Sequence, residues 1–178
     1  MTERKVEVKS VETSDQFVYL ADRPELIPEL ARWFYNEWGQ NYPDLSVDTI
    51  EGKLNTRLNK GKIPLVLVLL LDGSPIASVS LKIQEMETHP QYLHWLGSVY
   101  VLPELRGGGI GSNLIQFSAA EARRLGVRDL YLYTRSREGF YARLGWKPVE
   151  RPLYHGRTVV IMLRNLLEKN LKDANYEQ

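Results

Sequence analysis

Residues 99–112 read VYVLPELRGGGIGS, and this segment carries more structural information than any other part of the chain. A strand ends near Val101, Pro103 follows in a short turn, and a helix is expected over 107–125. A glycine-rich helix start points several unpaired backbone N–H groups at one spot, with the positive end of the helix dipole behind them. The three glycines 107–109 let a ligand approach the backbone without meeting a Cβ atom. The pattern is typical of a phosphate or pyrophosphate site.

Three alternative structures could also account for these glycines. A glycine-rich turn without a ligand remains open. A P-loop requires Lys and then Ser or Thr after the last glycine, whereas Gly111 is followed by Ser112-Asn113. The dinucleotide fingerprint G-x-G-x-x-G meets Ser112 or Leu114 at its last position, depending on where it begins. Asp129 precedes the next strand instead of ending it, so it is badly placed to bind a ribose.

Hydrophobic patterning outside this segment predicts the element order β-α-α-β-β-β-α-β-α-β-β. The aliphatic run 65–71 and the turn Asp72-Gly73 indicate a hairpin. The predicted strands are about 17–20, 65–71, 76–83, 93–101, 130–134, 146–150 and 158–163. The predicted helices are about 22–38, 47–59, 107–125 and 137–144, with a further helical tail from Arg164. This order predicts an α/β (α+β) fold, with one mixed sheet and helices on its faces.

Length and composition limit the classes of function. The 178 residues show no repeat or linker, which predicts one domain over 1–178 with a core at about 15–163. With 23 basic and 22 acidic residues, no overall field attracts nucleic acid or an anionic membrane. The absence of cysteine excludes disulfides, thiolate metal sites and a cysteine nucleophile. The first ten residues lack the apolar region of a signal peptide, so a cytoplasmic protein without membrane spans is expected.

The segment Arg106 to Gly111 resembles the acyl-CoA signature R/Q-x-x-G-x-G/A of the GNAT acyltransferase superfamily. Residues 130–134 and the sequence FYARLGW at 140–146 are similar to the fifth strand and the F-Y-x-x-L-G-F/W element of that family. The resemblance covers about residues 15–163. It implies a mostly antiparallel sheet of about seven strands flanked by about four helices. It also implies acetyl-CoA as co-substrate and transfer of the acetyl group to an amine.

The resemblance also assigns roles to individual residues. Backbone N–H groups of 107–112 would hold the CoA pyrophosphate, the backbone of 99–101 would pair with the pantetheine arm, and an N–H near Val101 would stabilise the oxyanion. The residues implied to bind acetyl-CoA are Val99, Tyr100, Val101, Arg106, Gly107, Gly108, Gly109, Ile110, Gly111 and Ser112. Tyr141 resembles the tyrosine general acid of the family. Its alternative role is that of a core aromatic residue.

The general base is not evident from the sequence. Many family members carry a carboxylate on the fourth strand, and that position is Trp95 here. Glu37 and Glu85 could act through a water, and together with Trp38 and Tyr42 they are the expected acceptor contacts. The three histidines share no spacing typical of metal ligands, so no metal site is expected.

Two functions remain open at this point. One is an active N-acetyltransferase for a small-molecule or a protein or peptide amine, and the other is a catalytically silent CoA-binding sensor or interaction module. The retained Tyr141 favours the enzyme, whereas Trp95 at the usual carboxylate position leaves the sensor open. The last strands could pair with another subunit, which leaves a homodimer open.

Overall fold

Nine strands and four α-helices are found in residues 15–167, the part of the chain that the computed structural model describes. The strands are β1 (Asp15–Tyr19), β2 (Leu65–Leu71), β3 (Ser74–Lys82), β4 (Trp95–Val101), β5 (Asp129–Thr134), β6 (Lys147–Glu150), β7 (Leu153–Tyr154), β8 (Arg157–Thr158) and β9 (Val160–Asn165). The helices are α1 (Ile27–Trp38), α2 (Val47–Asn55), α3 (Ile110–Arg124) and α4 (Glu138–Arg143). None of these helices is long and apolar enough to cross a bilayer.

The central sheet has seven strands in the order β1-β2-β3-β4-β5-β9-β6. All neighbours are antiparallel except β4 and β5, which run parallel. This arrangement confirms the predicted mixed, mostly antiparallel sheet with four helices. The strands β7 and β8 form a separate hairpin, which was not predicted from the sequence.

Strand β2 lies at the centre of the core and is buried on both faces. Alternate residues point to opposite faces of a sheet, so each face takes half of the aliphatic run. Leu65, Leu67 and Leu69 pack in one cluster with Leu114 and Ile115 of α3. Val66, Val68 and Leu70 pack in a second cluster with residues of α1 and α2. Because helices cover both faces, the strand is continuously apolar.

Helix α1 begins at Ile27 and not near residue 22, because the residues before it form two short 3-10 turns, Leu20–Asp22 and Pro24–Leu26. Two further helix boundaries differ from the predictions for local reasons. Helix α2 ends at Asn55 and not at Asn59, because the side chains of Asn55 and Thr56 bond to the carbonyls of Glu51 and Lys53 at 2.9 and 2.7 Å. Such side-chain bonds compete with continuation of the helix. Helix α3 begins at Ile110 and not at Gly107, because glycines 107 and 109 have φ of +84° and +89°.

Strand boundaries also differ at two places. Strand β4 begins at Trp95 and not near residue 93, because His94 has a φ of +67°, which an extended strand does not allow. The helical tail predicted from Arg164 is wrong at its start, since Arg164 and Asn165 belong to β9 and pair with Leu130 and Asp129. The lead-in before residue 15 and the tail beyond 167 lie outside the described residues.

Candidate functional site

A cleft of about 1040 Å³ opens where β4 and β5 part. The two strands pair only at Trp95 and Tyr131, and farther along both line the cleft, β4 with residues 96–99 and β5 with 132–134. Helices α1 and α2 wall the cleft on one side, and Tyr141 of α4 reaches it as well. The edge of β4 that faces β5 therefore offers unpaired backbone groups to an extended ligand, which can join them as an added strand.

A β-bulge turns β4 beside the cleft. Tyr100 is opposite Ser78 and Gly97 is opposite Ser80, so two residues of β4, Ser98 and Val99, face one residue of β3. Ser98 has a φ of +51°. A bulge disrupts the ladder and bends the strand that carries it. The bulge thus lies on the strand segment that lines the cleft, and it changes the direction of that segment.

The glycine turn between β4 and α3 is open to a ligand. A Cβ atom built at Gly107 or Gly109 would meet nothing within 4 Å. The N–H of Asn113 bonds to the carbonyl of Gly109 at 3.1 Å, so the N–H groups of 110–112 have no acceptor inside the helix. This geometry fits a pyrophosphate, because exposed N–H groups and the helix dipole both favour negative charge.

Arg106 ties this turn to the rest of the fold. Its Nε donates to the carbonyl of Val101 at 2.9 Å, and its Nη2 donates to Oε2 of Glu37 at 3.1 Å. The guanidinium lies 5.4 Å from the centre of the Tyr100 ring. Arg106 thereby connects the end of β4 with α1. Glu37 is used in this contact and does not line the cleft, unlike its neighbour Trp38.

Tyr141 of α4 lines the cleft. Its ring packs edge-on against Phe140 and Trp146, with ring centres 5.1 and 6.3 Å away. Within residues 15–167 the hydroxyl has no hydrogen-bond partner. Burial raises the pKa of Tyr141 above its ordinary value, and nearby Arg137 opposes part of that rise. The group therefore stays protonated at neutral pH and is able to donate a proton to a ligand in the cleft.

Trp95 of β4 and Glu85, which lies beside β4, have different surroundings. Trp95 is fully buried, and its Nε1 donates to the carbonyl of Tyr92 at 2.8 Å, so it serves packing. Glu85 follows β3 and forms an ion pair with Lys82. A Cβ atom at Gly97 would lie 3.1 Å from Oε2 of Glu85, which places this carboxylate over β4, two residues beyond Trp95. A carboxylate is thus present beside β4, although β4 itself does not supply it.

Basic side chains around Glu85 were not predicted from the sequence. Lys53 of α2, Arg57 just after α2 and Lys82 of β3 all line the cleft. Two signals were present in the sequence: Lys53 and Arg57 are four residues apart within the helix predicted over 47–59, and Lys82 lies two residues after Ser80 on one strand face. Neither pattern indicates a site until the fold brings these residues to one cleft.

The hairpin of β7 and β8 reaches the part of the cleft that Tyr42 lines. His155 at its tip lies edge-on to Tyr42, with ring centres 5.7 Å apart, and the next residue back, Tyr154, packs against Tyr133 at 5.5 Å. Tyr42, Tyr133 and His155 line the cleft. The hairpin therefore adds His155 to the aromatic residues that line the cleft, beside the expected Trp38 and Tyr42.

Comparison with known proteins addresses the fold and the family. The sequence profile described as "Acetyltransferase (GNAT) family" matches residues 27–146, more than half of the chain. The chain belongs to the GNAT acetyltransferase family. The matched range contains α1 to α4, the glycine turn and Tyr141, and so includes the parts from which the cleft is built. The predicted membership of this family is confirmed.

Individual relatives agree with this assignment. The aminoalkylphosphonate N-acetyltransferase of Salmonella typhimurium is 34% identical over 85 residues, which cover 44% of this chain. The alignment spans about half, 53%, of that relative. An aminoglycoside 6'-N-acetyltransferase complexed with coenzyme A shares the fold with a TM-score of 0.68 at 16% identity, over 87% of this chain and 99% of the other. The structure of yncA from Salmonella typhimurium with its cofactor acetyl-CoA has a TM-score of 0.63 at 20% identity, over 89% and 97%.

The GNAT fold brings together only some of the predicted site residues. Val99, Tyr141, Trp38 and Glu85 line one cleft, whereas Glu37 does not. The ring of Tyr100 is buried against Trp33, with ring centres 5.0 Å apart, so only its backbone is available for a ligand. Among residues 15–167, no group of three or more His, Asp or Glu side chains is arranged to hold a metal ion. The roles of the individual site residues remain predictions.

Proposed function

We propose that this chain is an acetyl-CoA-dependent N-acetyltransferase in which a primary amine attacks the thioester directly and Tyr141 is the general acid. One observation carries the proposal: Tyr141, whose hydroxyl has no hydrogen-bond partner within residues 15–167, lines the same cleft as the free edge of β4. The family assignment supports the donor, and the cleft supplies the proton that the departing sulfur needs.

The glycine turn and β4 suit two parts of acetyl-CoA, its pyrophosphate and its pantetheine arm. The N–H groups that follow the glycine turn suit its pyrophosphate, and positive φ at glycines 107 and 109 keeps side chains away from that position. The free edge of β4 at 99–101 suits an extended pantetheine arm. Acetyl-CoA supplies the acetyl group as a thioester, and this binding mode would bring the thioester to the parted strands.

The reaction balances with the groups present in the cleft. The amine nitrogen bonds to the acetyl carbon, the bond from that carbon to sulfur breaks, and Tyr141 donates its proton to the sulfur. The amine gives up one proton, to Glu85 directly or through a water. Backbone N–H groups of the bulged segment of β4 can stabilise negative charge on the carbonyl oxygen, because they are held in place before the reaction begins.

A silent CoA-binding module is the alternative. It would require no proton donor at the thioester, so the unpaired Tyr141 hydroxyl favours an enzyme. The acceptor is an amine of a small molecule or of a protein or peptide. The name of the Salmonella typhimurium relative, an aminoalkylphosphonate N-acetyltransferase, supports a small amine.

A thiol-release assay with a panel of amines tests the proposal. We expect CoA thiol to appear from acetyl-CoA only when an accepted amine is present, in equal amount to the N-acetylated product. A silent module would bind acetyl-CoA, as seen in a thermal shift, and release no thiol with any amine. Slow thiol release that no amine accelerates would indicate hydrolysis and would contradict the proposal.

A further inference from the structure

Positive charge dominates the lining of the cleft. Four basic residues, Lys53, Arg57, Lys82 and Arg135, line it against two acidic ones, Asp44 and Glu85. Only Lys82 and Glu85 form an ion pair within the cleft, among the residues that the structure describes. The lining therefore retains excess positive charge, in a cleft whose walls limit the access of water and ions and strengthen the field inside.

Two of these cations are partly or fully buried, and acidic groups only partly neutralise their charges. Within residues 15–167, the guanidinium of Arg57 has no hydrogen bond and no ion pair, although the side chain is half-buried. Burial lowers the pKa of Lys82; Glu85 opposes this, while Arg57 and Lys53 add repulsion. Burial also lowers the pKa of Arg57, and Glu85 opposes it. One carboxylate thus faces three cations, and a second anion would relieve their repulsion.

The cations lie close to the chemistry but away from the glycine turn. A Cβ atom at Gly97 would lie 3.1 Å from Nζ of Lys82, so this ammonium reaches the strand that borders the thioester position. Residues 102–112 do not line the cleft, whereas Trp38 and Tyr42 on the acceptor side do. The cations therefore belong with the acceptor and not with the pyrophosphate of acetyl-CoA.

We infer that the acceptor is a short amine with an oxyanion group, a carboxylate or a phosphonate, and that Arg57 and Lys82, assisted by Lys53, bind that group. This inference rests on the proposed acetyltransferase function. Arginine suits both oxyanions, since its planar fork donates two parallel hydrogen bonds. The amine of such an acceptor would lie towards Glu85 and β4. It must be short, because Lys82 stands directly beside Gly97.

Matched acceptors and matched variants test the inference. β-Alanine carries a carboxylate and 2-aminoethylphosphonate carries a phosphonate. β-Alaninamide has the same amine but no anionic group, and an aminoglycoside is a polycation. We expect kcat/KM, corrected for the fraction of neutral amine, to be at least about 10-fold higher for one of the two anionic acceptors than for β-alaninamide. Arg57→Gln should raise KM for that acceptor by about 10-fold or more, and Arg57→Lys should raise it less. Calorimetric titration of the free protein should show the same order of affinities without turnover.

Controls separate this subsite from a general effect. Lys62→Gln removes an exposed cation that does not line the cleft and should change none of these values. All three variants should keep the wild-type KM for acetyl-CoA, which also shows that they fold. Equal or better use of β-alaninamide or of the aminoglycoside, or equal losses for all acceptors in Arg57→Gln, would overturn the inference and leave the transferase function intact. Thiol release with none of these amines or any other amine would instead refute the transferase function.

Discussion

At the scale of single residues, Tyr141 is the side chain on which the proposed proton transfer depends. Tyr141→Phe removes one hydroxyl that has no partner within the described residues, so packing against Phe140 and Trp146 should survive. We expect kcat to fall by about 100-fold, the usual scale for one proton-transfer group, with the affinity for acetyl-CoA unchanged. Steady-state kinetics and a thermal shift with acetyl-CoA measure the two effects. Tyr35→Phe, on an exposed tyrosine of α1, is the matched control and should behave as wild type.

The pH dependence of kcat gives a second test of the same residue. An acid acts in its protonated form, and burial raises the pKa of Tyr141 above its ordinary value. The protonated form therefore persists to higher pH than for an exposed tyrosine. We expect no alkaline loss of kcat below about pH 10, the ordinary tyrosine value. A loss of kcat well below that pH in wild type, absent from Tyr141→Phe, would show a pKa lowered instead of raised.

Glu85 is the second residue with a testable role. Glu85→Gln keeps the shape but removes the carboxylate that lies beside Gly97 of β4. We expect kcat/KM for the acceptor to fall, and the loss to shrink as rising pH deprotonates the amine without help. Glu87→Gln, an exposed carboxylate two residues away, should have no effect. A loss of the same size at every pH would mean that Glu85 serves only to hold Lys82.

Residue roles were the least predictable part of the site. The position of the usual carboxylate was identified as Trp95, but the presence of Glu85 beside Gly97 depends on how the loop after β3 folds. Arg57 and Lys82 are 25 positions apart in the sequence, and the fold brings both to one cleft. Tyr141 could be singled out as a candidate from the sequence because a local motif contains it. Side chains that converge from different elements leave no such local pattern.

At the scale of elements, the glycine turn before α3 is the feature that should bind acetyl-CoA. Gly109 precedes the helix and Gly126 follows it; their φ values are +89° and +85°, and a Cβ atom at either would meet nothing within 4 Å. Valine at either position should therefore cost similar stability, about 1–2 kcal/mol for the left-handed backbone. Only Gly109→Val should also weaken acetyl-CoA binding, by at least about 10-fold, because its side chain would enter the pyrophosphate position.

Urea unfolding and titration with acetyl-CoA separate these two effects. Gly126→Val measures the loss that strain alone causes, and this loss should leave acetyl-CoA affinity unchanged. Normal binding by Gly109→Val would place the pyrophosphate elsewhere. Equal weakening by both variants would show that binding simply follows the stability of α3.

Most elements could be predicted because their signals are local. The aliphatic run of β2, the turn after it and the glycine at 126 each act within a few residues. At that glycine, the N–H of Val127 bonds to the carbonyl of Ala122 at 3.0 Å, as a helix ending with a left-handed residue requires. The hairpin of β7 and β8 was missed, since two-residue strands have no periodicity to detect. The strand at Arg164 was misassigned because its burial depends on pairing with β5.

At the scale of the whole molecule, acetyl-CoA should stabilise the fold by mass action. A ligand at 100 times its Kd adds about 2.7 kcal/mol to the free energy of unfolding. For a chain of this size we expect the Tm to rise by about 5–10 °C. ATP and NAD at the same concentration should raise it far less, since neither has a pantetheine arm to pair with β4. An equal rise with ATP would indicate that the glycine turn is a general nucleotide site.

In the proposed reaction of the whole molecule, the acetyl group passes directly from acetyl-CoA to an amine, without an enzyme-bound stage. Acetyl-CoA with an isotope-labelled acetyl group tests this most directly, with mass spectrometry of both the amine and the protein during turnover. We expect one labelled N-acetyl product for each thiol released, and no label on the protein at any time. Label on the protein during turnover, or thiol release without labelled product, would contradict the claim.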